Sequence, residues 1–216
     1  IYLFIYALSI ASYSQSIKIG DWSIHLSYTK INTVISANNK VYIGTRSGLF
    51  LYNNDDNSLT SFSKLDGLNS LDIRALAYEE SLGVLLIGYN DGNIDILQNN
   101  HIINLPEIYL ANIIGEKRIN NIFIDSNLAY ISCSFGLVII NLEKREIKET
   151  CYFEKNGLNS EIYQAHVFDG DINNSSDAFL ANKIFIASNN GLFYANKNAN
   201  LLDYENRESA AEISFS

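Results

Sequence analysis

Val41-Tyr42-Ile43-Gly44, followed after three residues by Gly48, is a phrase that the chain repeats three more times. The other copies are Leu85-Leu86-Ile87-Gly88 leading to Gly92, Ala129-Tyr130-Ile131-Ser132 leading to Gly136, and Ile184-Phe185-Ile186-Ala187 leading to Gly191. From one terminal glycine to the next the steps are 44, 44 and 55 residues. A period in the forties built from strand-like units predicts a β-propeller rather than a layered domain.

Each copy extends into a four-stranded blade. An alternating first strand comes before the phrase, as in Ile31-Asn32-Thr33-Val34-Ile35, Ile73-Arg74-Ala75-Leu76-Ala77, Ile119-Asn120-Asn121-Ile122-Phe123 and Tyr163-Gln164-Ala165-His166-Val167. The triplet strand ends in a small residue, which we expect where strands crowd toward the propeller axis. A glycine hairpin follows, supplying the positive φ of a short bulged loop, and then a third, apolar strand such as Ile94-Asp95-Ile96-Leu97. More polar outer strands, for instance Leu59-Thr60-Ser61-Phe62 and Glu146-Ile147-Lys148-Glu149, complete the blades. Two of them lead into one tetrapeptide, Gly67-Leu68-Asn69-Ser70 and Gly157-Leu158-Asn159-Ser160, read as a blade-to-blade connection repeated every second blade. The longer last step places an exposed insertion around Asp171 to Asn182. No convincing helix period appears, so the expected class is all-β.

The chain has 216 residues, 47% hydrophobic and 18% charged, which suits a packed core and argues against disorder. A formal net charge of −9 works against nucleic acid or an anionic membrane surface as a generic partner. Methionine is absent, from which we expect a chain that begins downstream of its start. Ile1 to Ala11 is an apolar run too short for a membrane span, which needs about 20 residues. With Ser12 and Ser14 before Gln15 it reads as the h-region of a truncated signal peptide over 1–14; a buried first strand is the alternative. No cysteine follows it until Cys133, so lipoprotein anchoring is not expected.

The expected fold is therefore a β-propeller of about four blades of four antiparallel strands, at roughly 31–70, 73–115, 119–160 and 163–200, within a partial propeller domain over 15–216. A closed four-bladed ring is one option; we expect instead an incomplete part of a larger ring. The segment Ile17 to Tyr28, with Trp22, is a candidate for the outer strand of the last blade.

Few residues suggest chemistry. Cys133 and Cys151 fall on second and fourth strands, which are not neighbours in a blade, so free buried thiols are expected rather than a disulfide. His25, His101 and His166 sit at unrelated places in the repeat and make no metal cluster. Asp91, Asp95 and the Glu79-Glu80 pair could serve as acid and base, but equally do the ordinary work of turns. Asn90-Asp91-Gly92 and Asp55-Asp56-Asn57 lack the spaced ligands and distal Glu of a calcium loop. No phosphate loop or nucleophile motif occurs. Glu116-Lys117-Arg118 is the best candidate for a recognition patch, against the plainer reading of a solvated connection. Neither catalytic, cofactor-binding nor metal residues are assigned, no cofactor is expected, and the chain is not expected to be an enzyme.

Gly67-Leu68-Asn69-Ser70 through Ile73, Leu76-Ala77-Tyr78 and Leu86-Ile87-Gly88 to Gly92 resembles the two-component regulator propeller repeat. A longer run is similar to the N-terminal propeller of the PorZ family: Trp22 with His25-Leu26-Ser27-Tyr28, Gly88 to Asp95, Gly115 to Ile122, and Phe135-Gly136 with Lys144 to Lys148. That resemblance implies a seven-bladed propeller in a surface protein of the Bacteroidetes type IX secretion system. It implies export to the periplasm or the outer-membrane surface, with PorU, PorV and PorQ as partners in an attachment complex that delivers anionic lipopolysaccharide to secreted cargo. The alternative is the periplasmic ligand-sensing propeller of a hybrid two-component regulator. After Asn206, the stretch Arg207 to Ser216 departs from the family pattern.

Overall fold

The computed structural model describes residues 30–155, 158–168 and 180–209. Trp22, His25, the apolar run at 1–14 and residues 169–179 of the insertion lie outside them. Four antiparallel sheets of four strands follow one another along the chain. Blade 1 holds β1 (Ile31–Ala37), β2 (Lys40–Thr45), β3 (Leu49–Asn53) and β4 (Ser58–Phe62). Blade 2 holds β5 (Ile73–Glu79), β6 (Val84–Tyr89), β7 (Ile94–Gln98) and β8 (His101–Leu105). A one-turn helix, α1 (Glu107–Leu110), lies in the connection to blade 3. That blade comprises β9 (Ile119–Asp125), β10 (Leu128–Cys133), β11 (Gly136–Asn141) and β12 (Glu146–Cys151). A small hairpin, β13 (Glu154–Lys155) with β14 (Leu158–Asn159), leads to blade 4. There the strands are β15 (Ile162–Phe168), β16 (Lys183–Ser188), β17 (Gly191–Asn196) and β18 (Glu208–Ser209). Blade 4 thus runs to Ser209, beyond the boundary at 200 read from the spacing, and β18 takes the outer position beside Phe193 and Tyr194.

The first strands pack on one another in the order β1, β5, β9, β15, so the blades fan around a common axis as an open arc. The core is three clusters, one between each pair of neighbouring blades. Strand β6 shows how this arises. Leu85, Ile87 and Tyr89 face blade 1, while Val84 and Leu86 face blade 3, so all six of its residues are buried. A strand covered on both faces reads as an unbroken apolar run. In β16 only Ile184 and Ile186 are buried, against blade 3, and Phe185 and Ala187 lie on the uncovered face.

All four first strands carry a bulge at their second residue: Asn32, Arg74, Asn120 and Tyr163. The extra residue turns the leading isoleucine toward the preceding blade. Ile73 and Ile119 are at most 1% exposed, and they land on the small residues that close the second strands. A Cβ on Gly44 would lie 2.6 Å from Ile73 Cγ2, and one on Gly88 would lie 2.8 Å from Ile119 Cγ2. The smallness expected from crowding at the axis is therefore imposed by the next blade's isoleucine. Blade 1 shows the same isoleucine without a seat among the described residues, Ile31 being 58% exposed.

Gly88→Ala forces Ile119 to shift and is expected to cost about 1–3 kcal/mol in chemical denaturation. Ala187→Gly, at the equivalent site on the uncovered face of blade 4, is expected to cost less than about 1 kcal/mol.

Candidate functional site

Hairpins between second and third strands and connections from fourth to first strands emerge at one end of every blade, because the strands alternate in direction. This connection face carries six of the thirteen exposed large hydrophobic side chains of the described residues. Leu65, Leu71, Tyr109, Leu110, Ile114 and Tyr152 all project from connections, with Ile114 98% exposed and Leu110 71%. Large contiguous exposed apolar patches mark interaction sites. Next to Ile114 a cleft of about 600 Å³ is lined by Gly115, Glu116, Ser134, Phe135 and Glu154. Phe135 is buried on the 133–136 hairpin and packs its ring 6.2 Å from Tyr152. Gly115 has φ +102 with open space where a Cβ would be, so the turn that lifts Ile114 into solvent favours glycine.

The floor of this face is rigid and polar. Asn69, in the connection from blade 1, donates its backbone N–H (2.9 Å) and its side-chain amide (2.8 Å) to Asp95. Asp95 is fully buried and also accepts from the Tyr89 hydroxyl (2.6 Å) and the Asn104 amide (2.9 Å). Burial, and then the adjacent Asp95 carboxylate, push the Tyr89 hydroxyl far above the ordinary tyrosine range, so it remains a donor. Asp91 accepts from the Ser70 hydroxyl and from the Asn93 N–H (3.0 Å), pinning the next hairpin. With every lone-pair direction engaged, Asp95 is a tie between connection and blade rather than an acid or base. In blade 4 Phe193 occupies the register of Asp95, and Phe153 packs on it at 5.3 Å.

The polar ends of Glu116, Lys117 and Arg118 are bonded within the fold. Arg118 donates to Glu161 of blade 4 (2.7 Å), to Asn120 (3.0 Å) and to Glu116, while Lys117 Nζ donates to the Tyr109 carbonyl (2.7 Å). Its hydrogen bonds to Glu161, and the charges of both glutamates, hold the Arg118 guanidinium charged. Asn120, the bulge residue, donates to Glu161 (3.0 Å) and to the Ile162 carbonyl (2.8 Å). Asn32 does the same to Asp72 (2.9 Å) and the Ile73 carbonyl (2.8 Å). These groups clamp blade to blade. What remains around the cleft is apolar surface with Ser134, Asn159 and the acidic side chain of Glu154, Glu116 being paired with Arg118.

The other sequence candidates are dispersed. His101 starts the outer strand of blade 2, and His166 lies on β15 against the Phe123 ring (4.3 Å). Glu79 caps its own turn by accepting from Ser81 and the Leu82 N–H, and Glu80 is exposed. Asp55 accepts from Asn39, Asp56 from the Ser58 N–H (3.0 Å), and Asn57 from the Tyr52 hydroxyl (2.8 Å). Hydrogen bonds from Ser58 draw the Asp56 carboxyl below its usual range. Among the described residues, no group of three His, Cys, Asp or Glu side chains could hold a metal ion. Cys133 and Cys151 are free and buried on opposite faces of blade 3, with β11 between their strands. The apolar surface of the cleft was missed in the sequence because Ile114 and Leu110 fall outside any periodic strand.

A family model described as the PorZ N-terminal β-propeller domain of the type IX secretion system (TSS9) matches residues 41–207. No curated protein matches in sequence. Among solved structures, PorZ of Porphyromonas gingivalis, described as an essential bacterial surface component of that system, superposes with a TM-score of 0.69 at 21% identity, over 83% of this chain. The extracellular domain of a hybrid two component system, BT4673 of B. thetaiotaomicron, gives 0.64 at 17% identity over 83% of this chain. The chain spans only 22% of the length of each of those two proteins.

Asp95→Ala strands the Asn69, Asn104 and Tyr89 donors, with an expected loss of about 3 kcal/mol in urea denaturation. Burial pushes the Cys151 thiol up to about 11 and the Cys133 thiol higher still. A raised thiol pKa keeps both protonated at pH 8, and only the thiolate is nucleophilic. A thiol-reactive dye at pH 8 is expected to label neither in the folded protein and both in denaturant.

Proposed function

Because the chain belongs to the PorZ N-terminal β-propeller family of the type IX secretion system, we propose that it is a non-catalytic interaction scaffold of the attachment complex of that system. The observation that supports this reading is the connection face. Exposed Leu110 and Ile114 stand beside a cleft that has apolar walls and the acidic side chain of Glu154, and the polar groups beneath it are consumed in holding the loops. Such a surface suits an apolar protein segment with a basic flank. The sortase-like component PorU and its companions PorV and PorQ are the proposed partners, at the periplasmic or outer-membrane surface. Delivery of anionic lipopolysaccharide to cargo is then proposed for the assembled complex, since Lys117 and Arg118 are bonded within the fold. No helix among the described residues is long and apolar enough to cross a membrane.

A second reading, a ligand-sensing propeller of a hybrid two-component regulator, draws on the likeness to the BT4673 extracellular domain. Interferometry of the full chain against purified PorU, PorV and PorQ homologues from the same organism separates the two. Saturable binding that Ile114→Lys and Leu110→Lys weaken at least about tenfold, with unchanged circular dichroism, supports the scaffold. Absence of binding to all three, or binding indifferent to both substitutions, overturns it.

A further inference from the structure

Each four-stranded sheet ends in an outer strand, so β4, β8, β12 and β18 are edges among the described residues. A bare edge is a template for pairing with another chain, and proteins normally blunt it with charge, proline or shortness. Three of the four are blunted. Strand β12 carries Glu146, Lys148 and Glu149, with ion pairs from Lys144 to Glu146 (3.6 Å) and from Lys148 to Glu149 (3.3 Å). Strand β18 is two residues long, and β8 is half-buried along Ile102, Ile103 and Asn104 and followed by Pro106. Strand β4 has none of these devices. Its five residues, Ser58-Leu59-Thr60-Ser61-Phe62, include no charge, proline or glycine, and the first four are exposed. The uncovered side of blade 1 does not account for all of this exposure. Thr60 pairs with Leu51 and so lies on the face turned toward blade 2, yet it too is exposed.

The strand is complementary to a second copy of itself. In an antiparallel pair, hydrogen-bonded and non-hydrogen-bonded positions alternate, so a two-fold axis between identical strands must pass through a residue facing its own copy. Centred on Thr60, the whole strand pairs: Thr60 with Thr60, Leu59 with Ser61, and Ser58 with Phe62. Centred one residue to either side, only Ser58 to Thr60 or Thr60 to Phe62 pair. The central register also sets the charges. It brings Asp56, just before the strand, toward Lys64 of the second copy, just after it, at both ends of the ladder. Both residues are exposed. Lys64 makes no ion pair among the described residues, and Asp56 accepts from Ser58 in its own turn, with Lys40 near it but not bonded. A capping box between Ser63 and Asp66 starts a 3-10 turn at Lys64 and holds that residue at the strand end.

We propose that β4 pairs antiparallel with β4 of a second copy of this chain, two-fold about Thr60, joining two arcs side by side through one continuous sheet. This contact is separate from the connection face. Sedimentation equilibrium of the full chain from about 10 µM to 1 mM tests it, with an expected Kd on the order of 100 µM, as befits a small interface. Thr60→Lys sets two like charges on the axis and is expected to weaken dimerisation at least about tenfold, with unchanged circular dichroism. Asp56→Lys is expected to weaken it about fivefold, and Asp56→Lys combined with Lys64→Asp to restore it. Thr60→Cys places two thiols opposite one another with Cβ atoms about 5 Å apart, so mild oxidation is expected to link the dimer. Leu59→Cys, whose copies lie on a diagonal at about 7–8 Å, is expected to link more slowly; the native cysteines are buried. A chain that stays monomeric throughout that range overturns the proposal. So does a dimer that Thr60→Lys leaves unchanged or that Ile114→Lys abolishes, or equal cross-linking at both positions. Protection of the β4 amides from hydrogen exchange in the dilute monomer overturns it as well, placing a segment of the same chain on that edge.

Discussion

One contact organises the molecule: the first isoleucine of a blade seated on the small residue of the blade before it, as in blades 2 and 3. A blade has no interior of its own, since its two faces are one residue thick and most of its buried apolar side chains belong to a cluster shared with a neighbour. Ile73 over Gly44 and Ile119 over Gly88 bring neighbouring backbones so close that not even a methyl fits. At position 132 a serine stands in the same place, and its hydroxyl is the one fully buried side-chain polar atom among the described residues left without a partner. The packing evidently demands smallness there more than it demands polar satisfaction.

Superimposed on this common contact is an alternation. Blades 1 and 3 place an asparagine at the bulge, and each amide grips the acidic residue and the isoleucine carbonyl that open the following blade. Blades 2 and 4 have Arg74 and Tyr163 at that position. The paired ions follow the same rule, Arg46 with Asp72 at 3.8 Å and Arg118 with Glu161 at 2.7 Å. The recurring Gly-Leu-Asn-Ser connection also precedes only blades 2 and 4. Two blades, rather than one, are the unit that repeats.

Much of this was legible in the sequence, and what was hidden has identifiable physical causes. The period of the triplet-glycine phrase determined the blades, the strand order and the separation of Cys133 from Cys151, because each is a local consequence of strand and turn chemistry. The bulges were invisible: Ile73 and Leu76 are three apart yet both face blade 1, which a strict period of two forbids. The short β18 was missed because two residues carry no pattern. In the candidate sites, Asp95 looked like a free carboxylate and Arg118 like a free cation. Their partners, Asn69 and Glu161, lie 26 and 43 residues away, beyond any local motif.

Shared interfaces also shape how the arc comes apart. Blades 2 and 3 are each held on both faces and blades 1 and 4, among the described residues, on one. Coupling restricted to nearest neighbours makes such an array behave as a short one-dimensional chain, in which opening starts at the ends and propagates inward. The buried Asp95 tie sits in blade 2, away from both ends. Among the described blades the middle pair is thus the most firmly fastened.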